Sequence, residues 1–207
     1  MMRLLGKAES INVRKVLWAL TEVGAAYVRE DWGVGYRSTS EPEFLALNAN
    51  AMVPVLVDGD FVLWESNSIC RYLANRAART DLLPAQARAR ADVEKWMDWQ
   101  ATELNYSWRY AFMAIVRHSE AHQDSQLLEA SIKSWNNNMQ LLNQRLDQTG
   151  AYVAGAGFTL ADIVLGLSAY RWQQTPMVRP SLPAVDAYLT RLKPRQGFDE
   201  FVANGMP

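Results

Sequence analysis

The first part of the chain combines short apolar runs with one stretch of helical spacing. Residues 3–5 form an apolar run before Gly6 and predict a strand, and residues 25–32 alternate in polarity as a second strand does. Between them, apolar residues recur from Ile11 with the spacing of one helix face, and Gly24 follows as a residue that ends helices. The pattern therefore predicts a strand–helix–strand unit.

The next stretch predicts a short helix, a hairpin and a longer helix. Residues 44–47 have helical spacing, and apolar runs at 55–57 and 61–63 flank Asp58-Gly59-Asp60, a sequence typical of a hairpin turn. Residues 68–79 return to helical spacing. The element order is therefore βαβ-α-ββα, which predicts a small mixed α/β sheet covered by helices.

Pro84 marks the boundary with a second part, which shows no convincing strand. A long helix is predicted from Val93 past Met113, a second over residues 125–147, and a third begins at Thr159-Leu160-Ala161-Asp162, which has the spacing of a capping box. We therefore predict an α/β domain over residues 1–79, a linker over 80–87 and an all-α domain over 88–207.

Composition narrows the class of protein. Of 207 residues, 49% are hydrophobic and the formal net charge is −1, so neither nucleic acid nor an anionic membrane surface is an expected partner. No run approaches the roughly 18 apolar residues of a membrane span, and the N-terminus lacks the apolar core of a signal peptide. We therefore expect a cytoplasmic protein without a membrane partner.

The cysteine and histidine content gives little support to a metal site. His118 and His122 are spaced for one helix face, but no third ligand has a recognisable spacing, and this segment is better interpreted as a polar helix end. Cys70, the single cysteine, follows Ile69 on an apolar helix face. We predict no metal ion and an inert, buried thiol.

Val53-Pro54 stands at the start of the third predicted strand, where a proline is tolerated because that position need not donate a hydrogen bond. That structural role alone is the simpler interpretation. A cis peptide bond, however, would turn the N–H and C=O groups of Val53 away from the sheet. Those groups would then be available to an extended peptide ligand.

Three polar residues fall where predicted strands give way to predicted helices. Glu65 and Ser66 precede the third helix, whose N-terminal N–H groups attract a carboxylate, while Glu65 suits an ammonium group. Ser10 precedes the first helix, and Asn12 lies two residues further on. Each serine is either a helix cap or a ligand contact, and the sequence leaves both roles open.

Four segments of the chain together resemble the cytosolic glutathione S-transferase superfamily, and in particular its bacterial theta-like and nu-like groups. These segments are SINVRKVLWAL, PEFLALNANAMVPVL, LWESNSICRYL and FTLADIVLG. The resemblance covers nearly the whole chain and implies a thioredoxin-like N-terminal domain followed by a helical domain. This chain departs from the family pattern at NANA, where Ala49 and Ala51 replace the usual proline and glycine. A positive φ at position 51 is less favourable for alanine than for glycine.

The resemblance also implies roles for individual residues. Glutathione is the expected co-substrate, with Ser10 facing its thiol and Asn12 as an alternative or supporting donor. The remaining glutathione-binding residues implied by the resemblance are Met52, Val53, Pro54, Glu65 and Ser66. The glycyl carboxylate of glutathione is left to either Arg37 or Arg109.

The expected function is that of a homodimeric, detoxifying glutathione transferase that activates glutathione as a thiolate. An electrophilic or a peroxidic molecule would be its co-substrate, and glutathione-dependent disulfide reduction is a further possibility. A non-catalytic binding or regulatory protein of the same fold is the alternative. Candidates for a co-substrate pocket between the domains, each of which is also interpretable as a core or dimer contact, are Tyr106, Trp108, Arg109, Tyr110 and Met113.

Overall fold

The computed structural model describes residues 1–205, which fold as two compact units. The N-terminal unit contains Met1–Leu83 and also Gln196–Asn204, and the helical unit is built from Pro84–Arg195. The stretch 80–83, predicted as linker, thus belongs to the first unit, and 196–204, predicted as part of the helical domain, packs with the first unit as well.

The N-terminal unit is a four-stranded mixed sheet covered by helices, in the predicted order βαβ-α-ββα. The strands lie in the order β2-β1-β3-β4; β1 pairs with β2 in parallel, and β3 pairs with β1 and β4 antiparallel. The elements are β1 (Met2–Leu5), α1 (Ile11–Val23), β2 (Tyr27–Glu30), α2 (Pro42–Leu47), β3 (Val55–Asp58), β4 (Phe61–Trp64) and α3 (Ser66–Arg76).

Local signals explain most of these boundaries. Gly24 ends α1 in the left-handed conformation, with φ of 66°, and its N–H donates to the Leu20 carbonyl. The third helix was predicted over residues 68–79, but α3 begins two residues earlier, at Ser66, and ends at Arg76. The chain has left helical geometry at Ala78, where φ is 51°. One core cluster lies under the loop after β2 and contains Leu5, Trp32, Phe44 and Val55.

A π-helical turn, Phe198–Val202, completes the N-terminal unit from the far end of the chain. The indole N–H of Trp18 on α1 donates to the Gln196 carbonyl at 3.1 Å, and the ring packs edge-on against Phe198 at 6.1 Å. Trp18 is fully buried, so this segment covers an apolar face of α1 that would otherwise meet water.

The helical unit contains five α-helices among its described residues: α4 (Ala87–Trp99), α5 (Asn105–Ile115), α6 (Ser125–Thr149), α7 (Leu160–Gln174) and α8 (Pro183–Leu192). The single long helix predicted from Val93 past Met113 is wrong in one respect, because a π-helical turn, Gln100–Leu104, separates α4 from α5. Gln100 is buried there, and its amide donates to Asn105 and to Ser168 on α7. No helix within residues 1–205 combines the length and apolarity needed to cross a bilayer.

Asp162, in the first turn of α7, is a fully buried carboxyl group with four hydrogen-bond donors around it. It accepts from the backbone N–H of Val153 at 2.9 Å, from the N–H and hydroxyl of Thr159 at 2.8 and 3.1 Å, and from the hydroxyl of Tyr188 at 3.1 Å. Burial raises the pKa of Asp162 to about 6, although these donors act in the opposite direction. The predicted capping box thus also ties α7 to α8 and to the loop before α7.

Asp162→Ala should therefore lower the free energy of unfolding by at least about 3 kcal/mol, because it leaves several buried donors without an acceptor. Urea denaturation followed by circular dichroism measures the loss. Asp186→Ala is the matched control, since Asp186 lies in the first turn of α8 but is exposed, and it should change stability by less than about 0.5 kcal/mol. Equal midpoints for the two variants would contradict this account of Asp162.

Candidate active site

The register of the sheet brings three loop segments to one edge. Leu5 at the end of β1 pairs with Val55 at the start of β3, and Val55 pairs with Trp64 at the end of β4. The segment after Leu5, the segment before Val55 and the segment after Trp64 therefore lie side by side. These segments carry Ser10, Val53-Pro54 and Glu65-Ser66, so the sheet brings together the residues that the sequence singled out.

Gly6 permits this close approach. Its φ is 149°, and a Cβ atom at this position would lie 2.5 Å from Cγ2 of Val13 on α1 and 3.1 Å from Cβ of Val53. Real Cβ atoms essentially never approach a neighbour as closely as 2.5 Å, and the contact with Val53 would be tight as well. The missing side chain thus lets the first turn of α1 and the Val53 segment pack against the same end of β1.

Ser10 occupies the N-cap position of α1, yet its hydroxyl makes no capping hydrogen bond. Its backbone is extended, with φ of −76° and ψ of 122°, and its carbonyl accepts from the Arg14 N–H at 2.9 Å. The side chain is half-buried. Of the two roles that the sequence left open, the ligand-facing hydroxyl therefore agrees better with the geometry than the helix cap.

Asn12 and Ser66 join the N-terminal ends of two helices. The hydroxyl of Ser66, which is buried at the start of α3, donates to Oδ1 of Asn12 on α1 at 3.4 Å. Helix N-termini carry unpaired N–H groups and a partial positive charge. Two such termini side by side form a region that favours a negatively charged group.

Glu65 has an unusual backbone for a residue with a side chain. Its φ is 74° and its ψ is 111°, outside the regions that L-residues prefer, and its exposed carboxylate makes no capping bond to α3. A residue held in such a conformation costs about 1–3 kcal/mol, and such residues concentrate at functional sites. The strained backbone therefore favours a function for the Glu65 side chain over a purely local role.

The Val53–Pro54 peptide bond is cis, as the resemblance implied. Within residues 1–205, neither the N–H nor the C=O of Val53 has a hydrogen-bond partner. The preceding Met52 exposes 63% of its side chain, while its carbonyl accepts from the amide of Asn48. The Val53 segment thus offers one open backbone donor and one open acceptor at the edge formed by the three loop segments.

Two residues near this edge were not identified from the sequence. Lys15 on α1 is buried, and its Nζ lies 3.5 Å from Oδ1 of the equally buried Asn67, the residue after Ser66. Asn48, also buried, contacts Met52. Lys15 could have been noticed in the sequence, because it is a charged residue within the apolar pattern of α1. Asn48 entered the sequence analysis only as the first residue of the NANA segment.

The candidates for the co-substrate pocket divide between two faces of α5. Trp108 is half-buried, and its ring packs on Phe112 at 5.4 Å and on the buried Trp135 of α6 at 6.0 Å. The other candidates share the opposite face by their spacing of three and four residues, and they are Tyr106, Arg109, Tyr110 and Met113. Tyr106 exposes 87% of its surface, whereas the Tyr110 hydroxyl accepts from the N–H of Asp124.

Arg37, one candidate for the glycyl carboxylate, is already engaged. Its guanidinium contacts Glu41 at 2.9 Å and Glu43 at 2.7 Å, and it stacks over the ring of Trp32 at 3.8 Å. Arg109, the other candidate, is exposed on α5. A ligand carboxylate at Arg37 would have to compete with two glutamates.

The single cysteine is buried, and both histidines lie on a loop. Burial raises the pKa of the Cys70 thiol to about 12, so this thiol is not a nucleophile at neutral pH. His118 and His122 lie in the loop after α5 rather than at a helix end, which corrects that interpretation. In the described part of the chain, no group of three or more His, Cys, Asp or Glu side chains is placed to hold a metal ion.

The fold is a thioredoxin-like unit followed by a helical unit, with three loop segments meeting at one edge of the sheet. This arrangement defines the class of protein, and comparison with known proteins gives the family. The family model described as glutathione S-transferase, N-terminal domain, matches residues 1–75. Glutathione S-transferase GstB of Escherichia coli K12 is 32% identical over 203 residues, covering 89% of this chain and 97% of that protein. Glutathione S-transferase 3 of Zea mays is 31% identical over 210 residues, covering 98% and 93%.

Among solved structures, a theta-class glutathione S-transferase from Xanthomonas axonopodis pv. citri, crystallised with glutathione bound, aligns with a TM-score of 0.90. It is 36% identical and covers 97% of this chain and 96% of that one. The chain therefore belongs to the glutathione S-transferase family. The expectations of family, fold and enzyme class drawn from the sequence are confirmed.

Replacing Glu65 by glycine should raise the free energy of unfolding by about 1 kcal/mol, because glycine adopts the observed backbone conformation with little strain. Thermal denaturation of the ligand-free protein measures the gain. Glu65→Ala is the control, since alanine keeps the strained backbone and should leave the stability unchanged. A glycine variant less stable than the alanine variant would mean that Glu65 is not strained.

Proposed function

We propose that this protein is a glutathione transferase that binds glutathione along the sheet edge of the N-terminal unit and presents its sulfur as a thiolate. The observation that carries this proposal is the placement of the free Ser10 hydroxyl, the open Val53 backbone and the Asn12–Ser66 contact on one edge. A γ-glutamyl tripeptide has a matching series of groups: a thiol, a peptide backbone, and a terminal amine and carboxylate on one carbon.

The γ-glutamyl end is assigned to Glu65 and Ser66. The N–H groups of the first turn of α3 donate to the carboxylate, and the Ser66 hydroxyl exchanges its long bond to Asn12 for a bond to the same carboxylate. The exposed Glu65 carboxylate accepts from the ammonium group. Met52 and Pro54 flank the central contact, in which the Val53 N–H and C=O pair with the cysteinyl backbone as in strand addition. This order leaves the sulfur close to the start of α1.

Ser10 is assigned to the thiol. A thiol with a pKa of about 8.5 is roughly 3% ionised at pH 7, and lowering the pKa to about 6.5 requires about 2.7 kcal/mol of preference for the thiolate. One hydrogen bond to a charged acceptor contributes about 1.5–3 kcal/mol, and a helix N-terminus about 0.3–1 kcal/mol. The Ser10 hydroxyl and the start of α1 are therefore sufficient together, with Asn12 as the alternative donor.

The chemical step follows from the thiolate. Its sulfur attacks an electrophilic carbon, a carbon–sulfur bond forms, and the leaving group departs with its electron pair, while the thiol proton has already passed to solvent. With a hydroperoxide the sulfur attacks the terminal oxygen, an S–O bond forms as the O–O bond breaks, and the alkoxide leaves and takes a proton from water. A second glutathione then reduces the resulting sulfenic acid, with formation of glutathione disulfide and water. Because Cys70 is buried, we assign no step to the protein's own thiol.

The co-substrate site, the oligomeric state, the physiological role and the cellular location are also proposals. We assign the co-substrate to the face of α5 that carries Tyr106, Arg109, Tyr110 and Met113, supported by the exposure of Tyr106 and Arg109. A homodimer, a role in detoxification and a cytoplasmic location are inferred from the family resemblance. The free Ser10 hydroxyl favours an enzyme over the non-catalytic alternative, since a binding protein has no use for a thiol-facing donor.

Ser10→Ala should lower kcat by about 3- to 25-fold at pH 7, because loss of one hydrogen bond to the thiolate raises the pKa of bound glutathione from about 6.5 to about 7.5–8.5 and so lowers the ionised fraction of its thiol. The Kd for glutathione should rise by only about three- to fourfold, because the bound thiolate contributes little more than that to the affinity at pH 7. Steady-state kinetics with an aryl halide, together with calorimetric binding, separate the two quantities.

Ser66→Ala is the matched control, since it removes the same hydroxyl group from the γ-glutamyl end. It should weaken glutathione binding about tenfold with a smaller effect on kcat at saturation. Unchanged turnover in Ser10→Ala would make Ser10 a structural residue and transfer the proposed role to Asn12.

A further inference from the structure

The turn before Val53 is held by the side chain of one buried residue, Asn48. Its Nδ2 donates to the Met52 carbonyl at 2.9 Å, and its Oδ1 accepts from the backbone N–H of Asn50 at 3.1 Å and from the Asn50 side chain at 3.0 Å. The residue exposes 3% of its surface. Both ends of the amide are thus used inside the turn, and water does not compete with them.

Asn48 also connects the turn to the core. It follows directly on α2, and its backbone N–H donates to the carbonyl of Phe44, whose ring is fully buried against Trp32 at a centroid distance of 5.2 Å. Its own carbonyl accepts from the N–H of Ala51 at 3.0 Å. The position of the Asn48 amide is therefore set by the packing of α2 rather than by the turn itself.

The turn needs this support because its backbone is not one that its sequence favours. Ala51 adopts a φ of 54°, in the left-handed region that favours glycine. A segment of this kind keeps such a conformation only where its surroundings impose it. The Asn48 side chain spans the turn from Asn50 to Met52, and together with the Asn48 carbonyl, which accepts from the Ala51 N–H, it supports this conformation.

The bond to Met52 has a direct consequence for Val53. The Met52 carbonyl and the Val53 N–H belong to the same planar peptide group and point in opposite directions, because that peptide bond is trans. When Asn48 fixes the direction of the carbonyl from one side, it fixes the direction of the N–H on the other. That N–H has no partner within residues 1–205.

We propose that Asn48 is a positioning residue for glutathione: by holding the Met52 carbonyl it aims the Val53 N–H at the cysteinyl carbonyl of the ligand. This inference rests on the proposed function, and it adds a residue that touches neither the ligand nor the thiol. The side-chain amide of Asn48 then contributes to the affinity for glutathione, although it contacts the Met52–Val53 peptide group on the side that faces away from the ligand.

The test compares two ligands on two proteins by calorimetry. One ligand is glutathione, and the other is a glutathione analogue whose Cys–Gly peptide bond is replaced by a trans alkene, which keeps the shape and charges but removes the cysteinyl carbonyl together with the glycyl N–H. The wild-type protein should bind the alkene analogue about tenfold more weakly than glutathione. Asn48→Ala should bind glutathione about tenfold more weakly than wild type and should distinguish the two ligands by less than threefold.

Two further variants complete the design. Asn50→Ala is the matched control, because Asn50 contacts Asn48 but not Met52, and it should bind glutathione within twofold of wild type. Asn48→Asp keeps the size and the acceptor of Asn48 while removing the donor to Met52. It carries the same ligand comparison if Asn48→Ala does not fold.

The outcomes separate this inference from the function on which it rests. If wild-type protein does not bind glutathione, the proposed function itself is wrong. If wild type binds but the Asn48 variants weaken both ligands equally, or bind both as wild type does, Asn48 is only a structural residue and the inference is overturned. Loss of the preference for glutathione in the Asn48 variants alone supports it.

Discussion

The structure of the site depends on the pairing of three residues, Leu5, Val55 and Trp64, across β1, β3 and β4. Because β1 is antiparallel to β3, and β3 to β4, the end of one strand meets the beginning of the next. The loops that carry Ser10, Val53 and Glu65 therefore emerge together. A register slip of one residue would exchange the two faces of a strand and displace its loop, so the buried face of the sheet also fixes the site.

Of the three non-glycine residues with positive φ in the described part of the N-terminal unit, two lie at the site, and the third, Ala78, follows α3. Glu65 and Ala51 both have positive φ although both carry side chains, and they lie on two of the three loops at the sheet edge. Gly6 contributes the close approach on the third loop. Stability has been given up at these positions in favour of geometry, which is the pattern expected of residues that hold a ligand.

The sequence predicted those features that local chemistry determines. The hairpin turn at Gly59, the helix end at Gly24 and the capping box at Asp162 each follow from a residue type and its neighbours. Ser10, Val53 and Ser66 were found because polar residues or a proline interrupted apolar patterns where elements end. Such breaks are visible without knowledge of the fold.

The features that the sequence missed depend on contacts between distant residues. The π-helical turn at Gln100 involves Ser168 on another helix, and the return of residues 196–204 to the first unit involves Trp18. Asn48 reads as an ordinary turn residue until its burial and its bond to Met52 are seen. Spacing along the chain carries no information about partners such as these, so no local pattern would have identified them.

Proton release on binding measures whether bound glutathione is a thiolate. Calorimetric titration at pH 7 in two buffers of different ionisation enthalpy gives the number of protons released, with S-methylglutathione as the control that has no thiol. If the pKa of the bound thiol is about 6.5, glutathione should release about 0.7 proton more than the control. Equal proton release by glutathione and S-methylglutathione would mean that the thiol binds neutral, and would contradict the proposed role of Ser10.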